Sequence, residues 1–249
     1  MDDKVSWDYT QFAHNYDNRP DYSAQAIDRV FTDICLTRGQ LAADIGAGTG
    51  KLTQHLLRWE LMVTAVEPNQ AMRQIGECNT QRQTVSWVNT CGEATGLKEN
   101  SFDVVCYGSS FNVMDHKAAL AEAVRILKPG GWLICLWNHR DLSEPLQAEI
   151  EAIIQAEIPN YQYGTRRQDQ TSVIRNNRGF DKVYYAEHYV LLQLRVEDQL
   201  AAWRSHATLK RQAGQRFGAV IEQIQQRLNG LESITVPYHT RIWYARNSS

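Results

Sequence analysis

The sequence predicts an α/β protein with a mostly parallel sheet of seven strands, helices on both faces of the sheet, and a helical cap. Two observations carry this prediction. Up to about residue 140, short apolar runs without polar alternation are separated by amphipathic stretches, a pattern typical of parallel strands that are buried on both faces. Later, two helical patterns fall between the last two strand-like segments, which indicates an insertion that caps the sheet.

The first half of the chain supplies five strands and three helices in alternation. The strand-like segments are QLAADI, LMVTAV, TVSWVN, FDVVCY and WLICLWN. One helix is expected from about Thr49 to Arg58, and a second in NQAMRQIGEC, where Asn69 is a candidate cap. A third helix, HKAALAEAVRILK, is expected to stop at Pro129-Gly130-Gly131.

In the second half of the chain, the regular alternation of strands and helices ends. A helix is expected over about residues 144–158, followed by the polar stretch YQYGTRRQDQTS and the strand-like FDKVYYAEHYVLLQL. Helical patterns then cover about residues 197–206 and 213–229, and a last strand runs from about Thr235 to Ala245. Because no repeat or low-complexity linker separates them, the late helices are predicted to belong to the same domain as the sheet.

Composition and charge exclude several classes of protein. The 249 residues are 43% apolar and 22% charged, which is typical of a globular chain. With 26 basic and 28 acidic residues, the chain has no broad basic field for nucleic acid. The five cysteines form no C-x-x-C pair or metal-type spacing, which indicates reduced thiols and no metal. The beginning MDDKVSWDYTQF lacks an apolar signal region, and no apolar run approaches the ~20 residues of a membrane span, so we expect a cytoplasmic protein.

The stretch LAADIGAGTGKL, residues 41–52, indicates a nucleotide site of a particular kind. A P-loop would need a glycine and a Ser or Thr where Ile45 and Leu52 stand, and a dinucleotide fingerprint would need its third glycine at Lys51. What remains is Asp44-x-Gly46-x-Gly48-x-Gly50. Such a turn presents backbone N–H groups and little side-chain bulk, which suits an amino-acid carboxylate and a nucleoside better than a chain of phosphates.

Further polar residues follow the other strands, where ligands bind in open parallel sheets. Glu67 ends the second strand, 21 residues after Gly46, where a carboxylate can accept both hydroxyl hydrogens of a ribose. An acid there is alternatively a favourable charge at a helix start. Gly92-Glu93-Ala94 places an acceptor beside a small residue, as an adenine would require, and YGSSFN forms a small polar loop after the fourth strand.

Seven segments in this order resemble the class I S-adenosylmethionine-dependent methyltransferases, specifically the small-molecule methyltransferase-domain branch. They are YDNRPDY, DIGAGTGKL, VEPNQAM, GEATGL, SFDVVCYGSSFNVMDH, LAEAVRILKPGGWLICLWNHRD and VPYHTRIWYAR. The resemblance implies a Rossmann-like sheet, S-adenosyl-L-methionine as cofactor, and a single domain over residues 1–249. Within it, residues 1–38 are an N-terminal lid segment, 39–140 the cofactor-binding core, and 141–249 a C-terminal part with the cap insertion.

The resemblance also implies roles for individual residues. Around the methionine part and the ribose it places Asp44, Gly46, Gly48 and Glu67, and around the adenine and the sulfonium it places Glu93, Ala94, Tyr107 and Gly108. Arg19 is a candidate partner of the methionine carboxylate, or alternatively a surface arginine before Pro20. Many relatives carry Gln, His and Trp in the loop after the fourth strand; here Ser109, Asn112 and Val113 stand in those places, so no histidine base is expected there.

The expected reaction is methyl transfer by in-line displacement, in which a general base is needed only for a hydroxyl or an acidic carbon. His139 is the candidate base, with His14 and His206 as alternatives, although a lone histidine is more often structural. The expected acceptor is a small, partly apolar molecule held between the sheet end and the cap, by walls with few polar groups and no basic surplus. The candidate contacts are Tyr16, Tyr22, Asn112, Trp203 and His206; alternatively, the aromatic residues only fill the core.

Three other functions stay open to different degrees. A nucleic-acid methyltransferase is disfavoured because YGSS lacks the Pro-Pro-aromatic motif that holds a flipped base. A nicotinamide oxidoreductase is disfavoured by Lys51. The non-enzymatic alternative is a methyltransferase fold that serves as a binding or scaffold module. The sequence leaves the acceptor atom, whether N, O or C, and the oligomeric state undecided.

Overall fold

The computed structural model describes residues 8–248. Its strands are β1 (Leu41–Ile45), β2 (Met62–Val66), β3 (Val85–Val88), β4 (Phe102–Gly108), β5 (Leu127–Arg140), β6 (Phe180–Arg195) and β7 (Ser233–Asn247). Its α-helices are α1 (Ala13–Tyr16), α2 (Ala24–Asp33), α3 (Lys51–Arg58), α4 (Gln70–Asn79), α5 (His116–Ile126), α6 (Pro145–Glu157), α7 (Thr171–Arg175), α8 (Val196–Arg204), α9 (Ala207–Ala213) and α10 (Phe217–Arg227).

The strands form one sheet in the order β3-β2-β1-β4-β5-β7-β6. Neighbours from β3 to β5 pair in parallel, and β7 runs antiparallel to both β5 and β6. Asp44 is in register with Ala65 of β2 and Cys106 of β4, so these strands end at the same edge. The structure confirms the predicted α/β fold class with its seven-stranded, mostly parallel sheet.

Helices cover both faces of the sheet with separate apolar cores. On one face, α5 contributes Leu120 and Ile126, which pack with buried Val105 and Leu133 of the sheet. On the other face lie α2 and α3, with Ile27, Phe31 and Leu56 among the buried residues. Each large apolar side chain removed from water stabilises the fold by about 1.5–3 kcal/mol. The residues in front of the strand ends are therefore held on a rigid platform.

A third core forms the cap. It joins Ile150 and Ile154 of α6 to residues of α8, α9 and α10 and to the ends of β6 and β7, including Val236. The three helices α8 to α10 lie between the last two strands in the chain, where the helical patterns are found. The pattern at 213–229 begins as the end of α9 and a short 3-10 helix, because Gly214 adopts φ +54 and interrupts the helix.

Two boundaries differ from the sequence-based expectation. Helix α5 ends at Ile126 and β5 already begins at Leu127, which pairs with Phe102, so the chain leaves the helix before Pro129. The polar stretch after α6 contains a short 3-10 helix, Gly164–Arg167, and is followed by α7. Within residues 8–248, every helix is too short or too polar to cross a membrane. The first residues of the segment MDDKVSWDYTQF lie outside the described residues.

Candidate functional site

Two adjoining cavities lie at the edge where β1, β2 and β4 end. The first, the glycine-turn cavity, has a volume of about 390 Å³ and is bounded by Gly46, Gly48 and Glu67. The second, the cap cavity, has a volume of about 160 Å³ and lies between the N-terminal segment, the end of β5 and the helices α8 and α9. Tyr9, Tyr16, Ser109 and Val113 line both cavities, so a ligand in one lies beside a ligand in the other.

The turn after β1 is held in a conformation that favours glycine. Gly46, Gly48 and Gly50 have φ values of +69, +60 and +82, in the left-handed region where side chains are strained. The amide of Gly46 donates to the Val66 carbonyl oxygen at 2.8 Å, which ties the turn to β2. A Cβ atom on Gly46 would lie 2.5 Å from Cβ of Ser110. The glycine spacing is thus needed for the backbone path as well as for access to the cavity.

Glu67 is oriented by two backbone amides. Oε2 accepts a hydrogen bond from the Gly48 amide at 2.9 Å, and Oε1 accepts one from the Asn69 amide at 2.8 Å. The residue is only 8% exposed, and burial raises the pKa of its carboxyl. Each carboxylate oxygen keeps a further lone pair, so the group is oriented to accept two hydroxyl hydrogens.

Asp44 lies beneath the turn and has one unsatisfied oxygen. Its Oδ2 accepts a hydrogen bond from Oγ1 of Thr53 at 2.6 Å, whereas Oδ1 is buried and has no partner among residues 8–248. Burial raises the pKa of this carboxyl to about 7. An ammonium group placed close to Oδ1 would supply the missing donor and favour the charged carboxylate.

The structure brings together only part of the predicted cofactor set. Gly46, Gly48, Glu67, Glu93 and Gly108 line the glycine-turn cavity. Glu93 also accepts a hydrogen bond from the Asp115 amide at 3.2 Å, which anchors it across the cavity entrance. Residues that sequence reasoning did not name complete the wall, among them Met72, Cys91 and Met114.

Asp44 lies beneath the turn and lines neither cavity, and three further residues of that set lie elsewhere. Alternation along β4 directs the Tyr107 side chain to the face of the sheet that α5 covers. There it is fully buried and donates to the Ala119 carbonyl at 3.0 Å. Ala94 is exposed and lines neither cavity. Arg19 lines the cap cavity and donates to the Ser205 carbonyl at 2.6 Å, so it contacts the cap; its contact with a cofactor carboxylate stays a prediction.

All five predicted acceptor contacts line the cap cavity: Tyr16, Tyr22, Asn112, Trp203 and His206. Tyr22 donates to Oγ of Ser109 at 3.0 Å, and Trp137 donates to Oδ1 of Asn112 at 2.8 Å. Ser109 adopts φ +57, a strained conformation for a residue with a side chain, at the wall between the two cavities. The first bond fixes the loop after β4 against the N-terminal segment, and the second fixes it against β5.

The three candidate bases occupy different surroundings. His139 lines the cap cavity, is 3% exposed, and its Nε2 has no partner among residues 8–248. Burial, together with Arg167 and Arg166, lowers the pKa of His139 to about 3. His206 accepts a hydrogen bond from the Leu209 amide through Nδ1 and so caps α9. His14 is exposed on α1 and lines neither cavity, which removes it as a candidate.

The walls of the cap cavity contradict the expectation of few polar groups and no basic surplus. Five basic side chains line this cavity, and its described walls contain no Asp or Glu. They are Arg19, Lys51, Arg140, Arg166 and Arg167. The signal in the sequence was the pair of arginines in YQYGTRRQDQTS, which only the tertiary structure brings beside His139. Within residues 8–248, no group of His, Cys, Asp and Glu side chains is arranged to hold a metal ion.

The strand order and the glycine turn define a Rossmann-like α/β protein with a cavity at the β1 and β2 ends. Residues 43–135 match the family described as "Methyltransferase domain". Over this part of the chain the protein is similar to that family, in agreement with the resemblance of its sequence to the class I S-adenosylmethionine-dependent methyltransferases.

Named relatives show the same similarity. An uncharacterised methyltransferase of Mycobacterium bovis is 37% identical over 123 residues, which cover 49% of this chain and 48% of the relative, so the match spans about half of each. A ubiquinone/menaquinone biosynthesis C-methyltransferase of Cronobacter sakazakii is 28% identical over 74% of this chain and 85% of its own length. A putative type II methyltransferase structure from Anaeromyxobacter dehalogenans has a TM-score of 0.66 at 18% identity, covering 92% of this chain and 97% of that one.

Proposed function

We propose that this chain binds S-adenosyl-L-methionine in the glycine-turn cavity and transfers its methyl group to a small molecule in the cap cavity. One observation carries the proposal: the two cavities share Tyr16 and Ser109 as walls, so bound donor and acceptor meet there. The names of the sequence relatives, including the C-methyltransferase of Cronobacter sakazakii, support the same reaction class.

The glycine-turn cavity fits this cofactor on three counts. The Glu67 carboxylate is oriented for a ribose by the amides of Gly48 and Asn69. Asp44 lines neither cavity, but its buried Oδ1 beneath the turn has no partner among the described residues, and an amino group that reached it would satisfy it. A Cβ atom at Gly48 would meet only the flexible end of Met72, at 3.2 Å, so this glycine leaves room in the cavity wall.

Methyl transfer requires little from the protein beyond alignment of the donor and the acceptor. When bound, the cofactor supplies a methyl group on a positively charged sulfur, which needs no further activation. The protein holds the acceptor in line and excludes water, and such positioning lowers a barrier by about 7–11 kcal/mol. The bond between Tyr22 and Ser109 and the bond between Arg19 and Ser205 close the two sides of the cap cavity.

His139 is the residue we propose as general base for an acceptor hydroxyl or acidic carbon. Its partnerless Nε2 and its place in the cap cavity support this role. Burial and neighbouring arginines lower its pKa to about 3, so in the unliganded protein the ring is neutral at neutral pH but only a weak base. Charge from a bound anion would offset the arginines and make the ring more basic.

The volume of the cap cavity, about 160 Å³, favours a small molecule over a macromolecule as acceptor. The cytoplasmic location and the single-domain organisation over residues 1–249 stay predictions.

The test combines binding with turnover. Calorimetry should show one site for S-adenosylhomocysteine and no binding of NAD. Incubation with methyl-labelled S-adenosylmethionine and a panel of small molecules should transfer label to at least one of them. Preference for NAD would contradict the cofactor assignment, whereas cofactor binding without transfer to any acceptor would support the alternative of a binding or scaffold module.

A further inference from the structure

The cap cavity contains a cluster of cations without matching acids. Lys51 lies 3.8 Å from Asp17, and Arg140 lies 3.9 Å from Glu151. The other three basic residues have no carboxylate within 4.0 Å in the part of the chain that the structure describes. They are Arg19, Arg166 and Arg167. Like charges gathered in a cleft create a positive potential that attracts anions.

Neutral groups hold these guanidinium groups in place. Nη2 of Arg166 lies 3.2 Å from Nε2 of His206, and Nη2 of Arg167 donates to the Arg140 carbonyl at 3.3 Å. Such partners orient a guanidinium without neutralising its charge. The arrangement is therefore built around positive groups that the described carboxylates leave uncompensated.

The Nε atoms of Arg166 and Arg167 are buried and have no hydrogen-bond partner among residues 8–248. A buried donor without an acceptor is costly, and more so when it carries charge. Burial also lowers the pKa of both guanidinium groups, which shows that water screens them poorly. An oxyanion that accepts from Nε and Nη of one arginine would satisfy this demand in a bidentate pair.

Aromatic rings line the same cavity. The guanidinium of Arg140 lies 4.4 Å from the ring of Trp203, and that of Arg167 lies 4.4 Å from the ring of Tyr163. Stacking of this kind fixes the planes of the cations and leaves apolar surface beside them. The cavity thus combines anion-binding groups with walls suited to a flat apolar body.

We infer that the cap cavity takes an acceptor with an apolar, ring-sized body and a carboxylate or phosphate group, and that Arg166 and Arg167 bind this group. The inference rests on the proposed function in one respect, namely that the ligand of this cavity is the methyl acceptor. Carboxylate and phosphate share the oxyanion chemistry that the arginines require.

Calorimetry at constant ionic strength tests the inference with three probes of one size. Benzoate carries the carboxylate, phenyl phosphate carries the phosphate, and benzamide is the neutral counterpart of benzoate. With S-adenosylhomocysteine present at saturation, benzoate or phenyl phosphate should bind at least about tenfold more tightly than benzamide, and the stronger of the two identifies the group. Equal binding of benzoate, phenyl phosphate and benzamide would overturn the inference.

Variants locate the binding group. Arg166→Gln should weaken the binding of the preferred anion about tenfold or more, which corresponds to about 1.4 kcal/mol or more. Arg175→Gln removes the same charge from an exposed position of α7 that lines neither cavity, and should leave the affinity unchanged. If Arg166→Gln fails to fold, Arg167→Gln takes its place.

Two further measurements distinguish failure of this inference from failure of the proposed function. Because Arg166 lacks an acidic partner among the described residues, Arg166→Gln should melt no lower than the parent, whereas an arginine needed only for structure would lower the melting temperature. The second measurement is the affinity of each variant for S-adenosylhomocysteine in the absence of the probes. Cofactor binding with no preference for anions overturns only this inference, and anion binding without cofactor binding overturns only the proposed function.

Discussion

The amide of Gly48 donates a hydrogen bond of 2.9 Å to Oε2 of Glu67, which links the glycine turn after β1 to the carboxylate after β2. The bond joins residues 19 positions apart in the chain and holds the carboxylate before any ligand arrives. Preorganisation of this kind lowers the entropy cost of binding. The two residues therefore act as one unit in the proposed cofactor site.

Replacing Glu67 by Ala should weaken the binding of S-adenosylhomocysteine. Each charge-assisted hydrogen bond to a ribose hydroxyl contributes roughly 1.5–3 kcal/mol, so the dissociation constant should rise at least about tenfold. Calorimetry checks this result. Glu77→Ala, at an exposed position of α4, is the matched control, since it removes an acid that lines neither cavity and lies 3.7 Å from Arg73. Unchanged affinity in Glu67→Ala would contradict the assignment.

Gly48→Val should reduce cofactor binding beyond its effect on stability. Its left-handed backbone, φ +60, strains any side chain by roughly 1–2 kcal/mol, and a branched side chain would also enter the cavity. Gly39→Val is the control, because Gly39 has φ +81 and a Cβ atom there meets nothing within 4 Å. Both variants should unfold at lower urea concentration, but only Gly48→Val should lose affinity. Equal affinities would mean that the turn faces away from the ligand.

The contribution of Asp44 to the stability of the unliganded protein should fall as the pH rises. Its carboxyl ionises near pH 3.8 when unfolded and near pH 7 in the fold, so between these values the folded state holds the extra proton. This contribution to the free energy of unfolding decreases by up to about 1.4 kcal/mol per pH unit from about pH 4 to pH 7. Urea unfolding should show that the stability of Asp44→Asn relative to the parent increases over this range, whereas the exposed Asp181→Asn should follow the parent. The same pH dependence in Asp44→Asn and the parent would refute the account of this carboxyl.

His139→Gln should lower kcat by about 10²–10⁴ for an acceptor that must lose a proton, with cofactor affinity unchanged. Since the pKa of His139 lies at about 3, its protonation should not reduce kcat/KM of the parent between pH 8 and pH 5. His14→Gln, at an exposed position outside both cavities, is the control. Full activity of His139→Gln with such an acceptor would exclude this residue as the base.

Local patterns predicted the sheet well, because parallel strands and their helices have strong apolar periodicity. Asn69, for example, caps α4 by accepting a hydrogen bond from the Met72 amide, as its position before the helix indicates. The turn formed by residues that act through backbone geometry, such as Gly46 and Gly48, was equally predictable from the sequence. The direction of the Tyr107 side chain was harder to predict, since only the register of β4 decides which face of the sheet the side chain occupies.

The basic wall of the cap cavity was not predictable from composition. A net charge of −2 for the whole chain hides a local excess of cations, because Arg19, Arg140 and Arg166 are far apart in the sequence. The cap helices and the N-terminal segment bring them together. The nature of the second cavity is therefore a property of the tertiary structure.

A crystal structure with S-adenosylhomocysteine bound tests the central claim most directly. We expect the ribose hydroxyls to lie within hydrogen-bond distance of both Glu67 carboxylate oxygens and the sulfur to face the wall of Tyr16 and Ser109, with the cap cavity beyond it. A nucleoside bound away from Glu67, or a sulfur closed off from the cap cavity, would contradict the claim.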